Sequence, residues 1–310
     1  MVGGLRYSTV RMASDDYYLS DGNGSGNTSY SAVSPVLGVT WHVEDAVNLY
    51  ANYGKGFETP TLAEMAYSGA GVPSFNTSLN AATSQHYEVG AKWAPSTRSR
   101  VDLTYFQINT TDEIVVASST GGNSTYKNAP GTTRTGWELA GRSLLTPNWR
   151  TTLSASTIDA QYTQQFCSAV TCTAANTVTA GNKIPGIPQY FVFAELLWAR
   201  QAMDDAQRKP LLDTQAGVEL VSAGRIYVND TNFDTVANTA TMAESYTAVN
   251  LKASHGWAMG KGSLTVYGRL DNVTDQHYVG SVIVNQTSSQ FYEPAPGMNW
   301  TLGLRLSVPI

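Results

Sequence analysis

Strict two-residue alternation, a low charge content and connections sorted by length predict an all-β fold, an antiparallel transmembrane β-barrel. About twelve strands of it are present, a partial barrel. The alternation is plainest at the end of the chain. Trp300, Leu302, Leu304, Leu306, Val308 and Ile310 fall on one face, with Thr301, Gly303, Arg305, Ser307 and Pro309 on the other. Successive strand side chains point to opposite faces, so this is a strand with one wholly apolar face. The strand before it sets Leu264, Val266 and Leu270 against Ser263, Thr265, Tyr267, Arg269 and Asp271. Arg and Asp on one face and aliphatics on the other suit a wall between lipid and a watery lumen. A soluble sandwich places the same alternation between core and solvent, so loop lengths have to decide.

Composition narrows the classes. Charged residues make up 14% of the 310 residues, while Tyr (17) and Trp (7) are plentiful; an average soluble domain carries about 25% charge. No run approaches the ~20 apolar residues of a transmembrane helix. A net charge of −5 without a basic cluster argues against nucleic acid as a partner. The opening MVGGLRYSTVRMASDDYYL lacks the charged-then-apolar pattern of a signal peptide and reads as strand. A barrel must be exported, so residues 1–310 are expected to be one domain of a longer, N-terminally truncated protein.

Along the chain, residues 3–19 and about 29–43 read as strands around the Gly/Asn loop 21–28, and a short link at 44–46 leads into 47–57. A Ser/Gly/Pro/Asn-rich segment, 58–81, precedes the strand 84–93, which turns at 94–99. A short loop at about 118–124 separates the next two strands, and 146–148 turns the second of them. The cysteine loop runs from 166 to about 186. Strand 189–199 is followed by the polar turn 200–210, a further strand, a long loop at 224–242, strand 245–257 and the turn 258–262. A last long loop covers 273–297. Short and long connections thus alternate, as the periplasmic turns and extracellular loops of outer-membrane barrels do. A soluble sandwich has no reason to sort its loops by parity. Each strand is near the ~9–11 residues that a tilted membrane strand needs.

Cys167 and Cys172 lie together in a Ser/Thr/Ala/Asn-rich stretch, with none of the four His residues close in sequence. That is too few ligands for a metal and too few partners for catalysis. A loop-stapling disulfide in an oxidising compartment is expected, with two free thiols as the alternative. Gly54 and Gly56 form a lone Gly-x-Gly with no helix after it, so no dinucleotide motif exists there. No nucleophile–base arrangement is found, and enzymatic activity is not expected.

Four stretches, in order, resemble the TonB-dependent outer-membrane receptors. They are LYANYGKGFETPTLAEM (49–65), SQHYEVGAKW (84–93), YKNAPGTTRTGWEL (126–139), and LDNVTDQHYVGSVIVNQ with FYEPAPGMNWTLGLRL near the end. The family's barrels have about 22 strands around a plug. The likeness covers only their C-terminal portion, with nothing like the plug or the short box that engages TonB. Met298 stands where the family usually has Arg, and the chain ends in Val-Pro-Ile instead of an aromatic residue. The resemblance implies a receptor of the Gram-negative outer membrane, in contact with its lipid and without a cofactor. It implies active uptake of a ferric siderophore or similar ligand, with the TonB complex engaged through the missing N-terminal region. A small passive porin-like barrel and a soluble all-β carbohydrate-binding protein are the alternatives.

Two residue sets have open readings. The lumen-side charges Glu88, Lys92, Arg100, Asp102, Glu138, Arg142, Glu195, Lys252, Arg269, Asp271 and Arg305 either contact a plug or anionic ligand, or form a cross-strand ladder of opposite charges. In the ladder reading, Glu88 and Lys92 stand beside Arg100 and Asp102, and Arg269 and Asp271 beside Arg305. The loop aromatics Tyr67, Phe75, Tyr162, Phe166, Tyr227, Phe233, Phe291 and Tyr292 either stack on a ring-bearing ligand or pack among themselves. Outward Trp93, Trp137 and Trp198 read as girdle residues at the lipid interface.

Overall fold

A computed structural model describes residues 1–67, 75–168, 172–200, 214–234, 239–259 and 262–308. Twelve strands form one antiparallel sheet, each beside its neighbours in sequence. They are β1 (Val2–Ser14), β2 (Gly26–Glu44), β3 (Val47–Glu58), β4 (Ala82–Ser96), β5 (Ser99–Thr120) and β6 (Asn123–Leu144). The second half is β7 (Trp149–Tyr162), β8 (Tyr190–Ala199), β9 (Gln215–Ala223), β10 (Tyr246–Met259), β11 (Gly262–Asp271) and β12 (Asn299–Ser307). Short links permit only antiparallel neighbours, so the connections themselves dictate the up-and-down order. No described helix is long and apolar enough to cross a membrane, which says nothing of strands.

Register carries the sequence alternation across the whole wall. One row runs Trp41, Leu49, Ala91, Leu103, Leu139, Ala155 and Val192 from β2 to β8. Another runs Leu196, Val218, Leu251, Leu270 and Trp300 from β8 to β12. The opposite face holds the row Arg100, Arg142, Thr152, Glu195, Glu219 and Asn250. A one-residue slip would exchange these faces, so the pattern fixes the pairing. The apolar side chains stand free of the protein, with Trp300 74% and Leu304 71% exposed, as a lipid-facing surface requires.

Two inward aromatic–glycine pairs let neighbouring strands pack closely. A Cβ on Gly90 would lie 2.5 Å from the Tyr50 ring, which covers that glycine from the next strand. The Tyr50 hydroxyl then reaches Thr104 Oγ1 at 2.7 Å. Tyr267 covers Gly303 in the same way. An aromatic ring over a strand glycine restores the packing that the missing side chain forfeits.

Several boundaries differ from the sequence expectation. β1 ends at Ser14, because Asp16 closes a turn by accepting from Tyr18 N at 2.8 Å and Gly24 N at 2.7 Å. The short loop expected at about 118–124 is tighter still: β5 and β6 each run 22 residues and join at Gly121-Gly122, whose φ values are 58° and 85°. Two positive φ values are what the common two-residue hairpin turn needs, and Gly-Gly supplies them. The last strand stops at Ser307. Most of the polar turn 200–210, part of the turn 258–262, and Pro309 and Ile310 lie outside the described residues, as do 68–74, 169–171 and 235–238 within the long loops.

Loop parity holds with one exception, the two-residue turn at Gly121-Gly122, which lies at the long-loop end. Residues 45–46, 97–98 and 145–148 link strands at one end, while 59–81, 163–189, 224–245 and 272–298 connect them at the other. The sheet does not close on itself: β1 and β12 are its two edges. The self-closed porin-like alternative therefore does not describe this wall. An epitope inserted in loop 224–245 should be reachable by antibody on intact cells making the whole protein, and one in turn 145–148 should not; reversed accessibility would refute the orientation.

Candidate functional site

Three of the long connections, 163–189, 224–245 and 272–298, fold together at one end of the wall, around one carboxylate. Asp230 sits in the turn Asn229-Asp230-Thr231-Asn232 and is 1% exposed. Its Oδ1 accepts from the Tyr162 hydroxyl at 2.8 Å, and its Oδ2 pairs with Lys127 Nζ at 3.2 Å. Its carbonyl accepts from Asn182 Nδ2 at 3.0 Å, and its N–H donates to Asn285 Oδ1 at 3.1 Å. β6, β7 and three loops thus meet at one residue. A buried charge is tolerable only when paired and hydrogen-bonded this fully. Asn285 also donates to the Val116 carbonyl at 2.7 Å, which ties the last loop to β5. Beside the hub lies a small apolar core of Val115, Ala129, Ala160, Tyr162, Val178 and Ile184.

The aromatics chosen from sequence fall into separate groups. Tyr162 is 1% exposed with its hydroxyl on Asp230, and its ring meets Phe166 edge-on at 4.9 Å. Lys127 Nζ lies 4.8 Å from the Phe166 ring centre. Phe75 packs on Gly26, and its N–H donates to the Gly24 carbonyl at 3.0 Å, so it pins loop 59–81 to the β1–β2 connection. Phe291 and Tyr292 meet at 6.1 Å, and the Tyr292 hydroxyl reaches the Met242 carbonyl at 3.3 Å. Desolvation pushes the Tyr292 hydroxyl above the usual tyrosine range. Tyr227 pairs with Met242, Phe233 is exposed, and Tyr67 is half-buried in its loop. Tyr246 and Tyr278, absent from the sequence-derived set, stack at 3.9 Å. Only folding of the last loop over β10 brings that pair together.

Opposite charges do pair across strands on the inward face, around Glu219, but not in the two groupings read from the sequence. Arg100 binds Asp102 at 2.9 Å along its own strand, while Lys92 lies over the Tyr50 ring at 5.0 Å. Arg269 binds Asp271 at 2.6 Å and Glu219 at 2.7 Å; Lys252 binds Glu219 at 2.7 Å and also Glu195. Glu219, nearly buried, is the centre of this network, and the sequence reading omitted it. Alternation with Val218 and Leu220 was the signal that marks it as inward. Glu88 accepts weakly from Asn52 at 3.5 Å. Among the described residues, Glu138, Arg142 and Arg305 carry no ion pair. Arg100 and Arg142 face each other in register.

Cys167 and Cys172 are bonded, with Cα atoms 5.5 Å apart. Closing so short a loop contributes about 2 kcal/mol. Alkylation of exported protein without reductant should leave both cysteines unlabelled; quantitative labelling would reject the bond. For the hub, Asp230→Ala strands Lys127 and the Tyr162 hydroxyl. Removing one partner of a buried pair costs about 3 kcal/mol, so amide exchange in loops 172–189 and 224–234 should quicken roughly 100-fold. Unchanged exchange would show that Asp230 does not hold the loops.

The match to known proteins runs along nearly the whole wall. Residues 1–273 match the TonB dependent receptor-like, beta-barrel family. Among solved structures, the siderophore receptor PiuA from Acinetobacter baumannii superposes with a TM-score of 0.69 at 17% identity, over 98% of this chain and 40% of that one. The ferric citrate transporter FecA gives 0.72 at 15% identity, over 98% and 42%. The copper transporter OprC gives 0.68 at 15%, over 98% and 45%. At such identities the likeness is one of fold, and this chain spans less than half the length of each. With the family matched over 273 of its 310 residues, the chain belongs to the TonB-dependent receptor-like β-barrel family.

Proposed function

We propose that residues 1–310 form the C-terminal part of the barrel of an outer-membrane receptor that imports a ferric siderophore in a Gram-negative bacterium. The observation that carries this reading is the folded loop cap. A passive pore has no need to tie three loops to one buried carboxylate, whereas a receptor needs a preorganised surface at its outer mouth. Tyr227, Phe233, Phe291, Tyr292 and Tyr67 supply aromatic faces there for a ring-bearing ligand. The work is binding and gated passage, with no covalent step. Energy comes from the TonB complex, which engages a region of the receptor outside these residues.

The two edge strands support the partial-barrel reading. Each edge presents roughly five unpaired N–H and C=O pairs, at several kcal/mol per group in hydrocarbon. That sum is tens of kcal/mol, against the ~5–15 kcal/mol net stability of a typical fold. In the receptor, β1 and β12 pair with further strands of the same barrel. The test uses a strain deleted for the receptor and starved of iron. The full-length gene should restore energy-dependent uptake of labelled iron from a panel of ferric siderophores, and residues 1–310 behind a signal peptide should not. Uptake by the short form would overturn the partial-barrel reading. Failure of the long form with every siderophore would overturn the ligand class.

A further inference from the structure

β7 is taller than its neighbour β8, and the mismatch opens a notch in the wall. Pairing between them begins at Thr157 and Tyr190, yet β7 continues to Tyr162. Residues 181–189 take over as partner: Ile158 N donates to Gln189 O and Ile184 N to Ala160 O, both at 3.0 Å. Between those bonds lies Ile184-Pro185-Gly186-Ile187-Pro188. Pro185 and Pro188 have no N–H to offer, and Gly186 has φ 81°, so the segment turns away from the strand opposite Asp159.

The cavity left there has a volume of 380 Å³. Tyr105 and Trp137, a tilted pair 5.0 Å apart, form its floor, and Trp137 is 52% exposed. Thr135, Asp159, Lys183 and Gln189 line its upper part, with Lys183 Nζ 2.5 Å from Asp159 Oδ1. Register puts Tyr105, Trp137 and Thr157 in one outward row and Thr135 and Asp159 in the next outward row above it. Below them the outward face is apolar, through Leu103, Leu139 and Ala155. One side of the notch thus lies on the outside of the wall, where apolar gives way to polar, while Ala160 and Ile184 of the small core line its inner side. Aromatic residues mark the head-group level of a bilayer, so on the outer-membrane reading this opening faces lipid.

We propose that the notch holds the sugar head of an outer-leaflet glycolipid. Few polar groups converging over an apolar floor are the general anatomy of a small-molecule site. A sugar ring lies with its C–H face on Trp137 and Tyr105, and its hydroxyls bond to Asp159, Lys183 and Gln189. A phosphate fits poorly, because the one cation is already neutralised and the Asp159 carboxylate repels an anion. The acyl chains follow the aliphatic rows beneath.

The inference rests on the outer-membrane reading, and the experiment separates the two. The full-length receptor is placed in phosphatidylethanolamine nanodiscs containing galactosyl diacylglycerol, and co-retained lipid is read by native mass spectrometry. The expected result is at least tenfold enrichment of the glycolipid over its bulk fraction, falling to parity in Trp137→Leu and in the double variant Asp159→Asn, Lys183→Gln. All three side chains face outward, and heat-modifiable migration verifies that each variant is folded. A photoactivatable galactolipid in the wild type needs no variant and should label peptides containing Trp137 or Lys183. Parity in the wild type, enrichment that survives both variants, or labelling spread evenly over the outward face would overturn the site. A receptor that fails to enter the discs would overturn the outer-membrane reading and this inference with it.

Discussion

A wall in hydrocarbon has to satisfy its backbone from within, and everything else in this molecule follows from that constraint. It explains why twelve strands stand in sequence order without a crossover, each paired to the next. Where two strands differ in height, irregular chain from a loop supplies the missing partners, as residues 181–189 do for β7. The same constraint singles out β1 and β12, the two edges of the sheet, as its unpaired sides.

With the backbone satisfied, side chains divide the work by face. Outward positions only have to be apolar, and they stand largely free of the protein. Inward positions must place charges at a spacing that avoids unpaired burial. Glu219 shows how: it takes Lys252 and Arg269 from two neighbouring strands, while Glu195 and Asp271 flank the same two cations. Arg142 lies opposite Arg100 with no carboxylate of its own among the described residues, so this part of the inward face stays positive.

What the sequence made legible is what repeats. Period-two alternation placed the apolar and polar faces, and loop parity placed the two ends, because both are local and recur strand after strand. The β5–β6 hairpin was partly hidden, since its upper half is Ser/Thr-rich and reads as loop, although Gly121-Gly122 carries the turn signal. The Asp230 hub was not legible. Its partners Lys127 and Tyr162 lie 103 and 68 positions away, and an Asp between two Asn and Thr residues looks like ordinary turn chemistry. The split among the aromatics has the same cause. Whether Tyr162 is buried or Phe233 exposed depends on which loop folds over which, and no local pattern encodes that.

The uneven height of the wall gives the cap its leverage. β5 and β6 rise far above the 9- and 10-residue strands at the other side of the sheet. The last loop crosses to lean on that tall hairpin: Ser119 N donates to Asn285 O and Thr287 N to Ser119 O, both at 3.1 Å, and Thr120 meets Thr287 at 2.8 Å. Asn285 then passes the connection to Asp230, which reaches β6, β7 and residues 172–189. Segments up to 169 positions apart are thereby joined through two polar residues. Pulling one loop away leaves a buried carboxylate and its neighbours unsatisfied, so the remaining loops lose their anchor at the same moment. A cap assembled in this way shares one anchor among its loops.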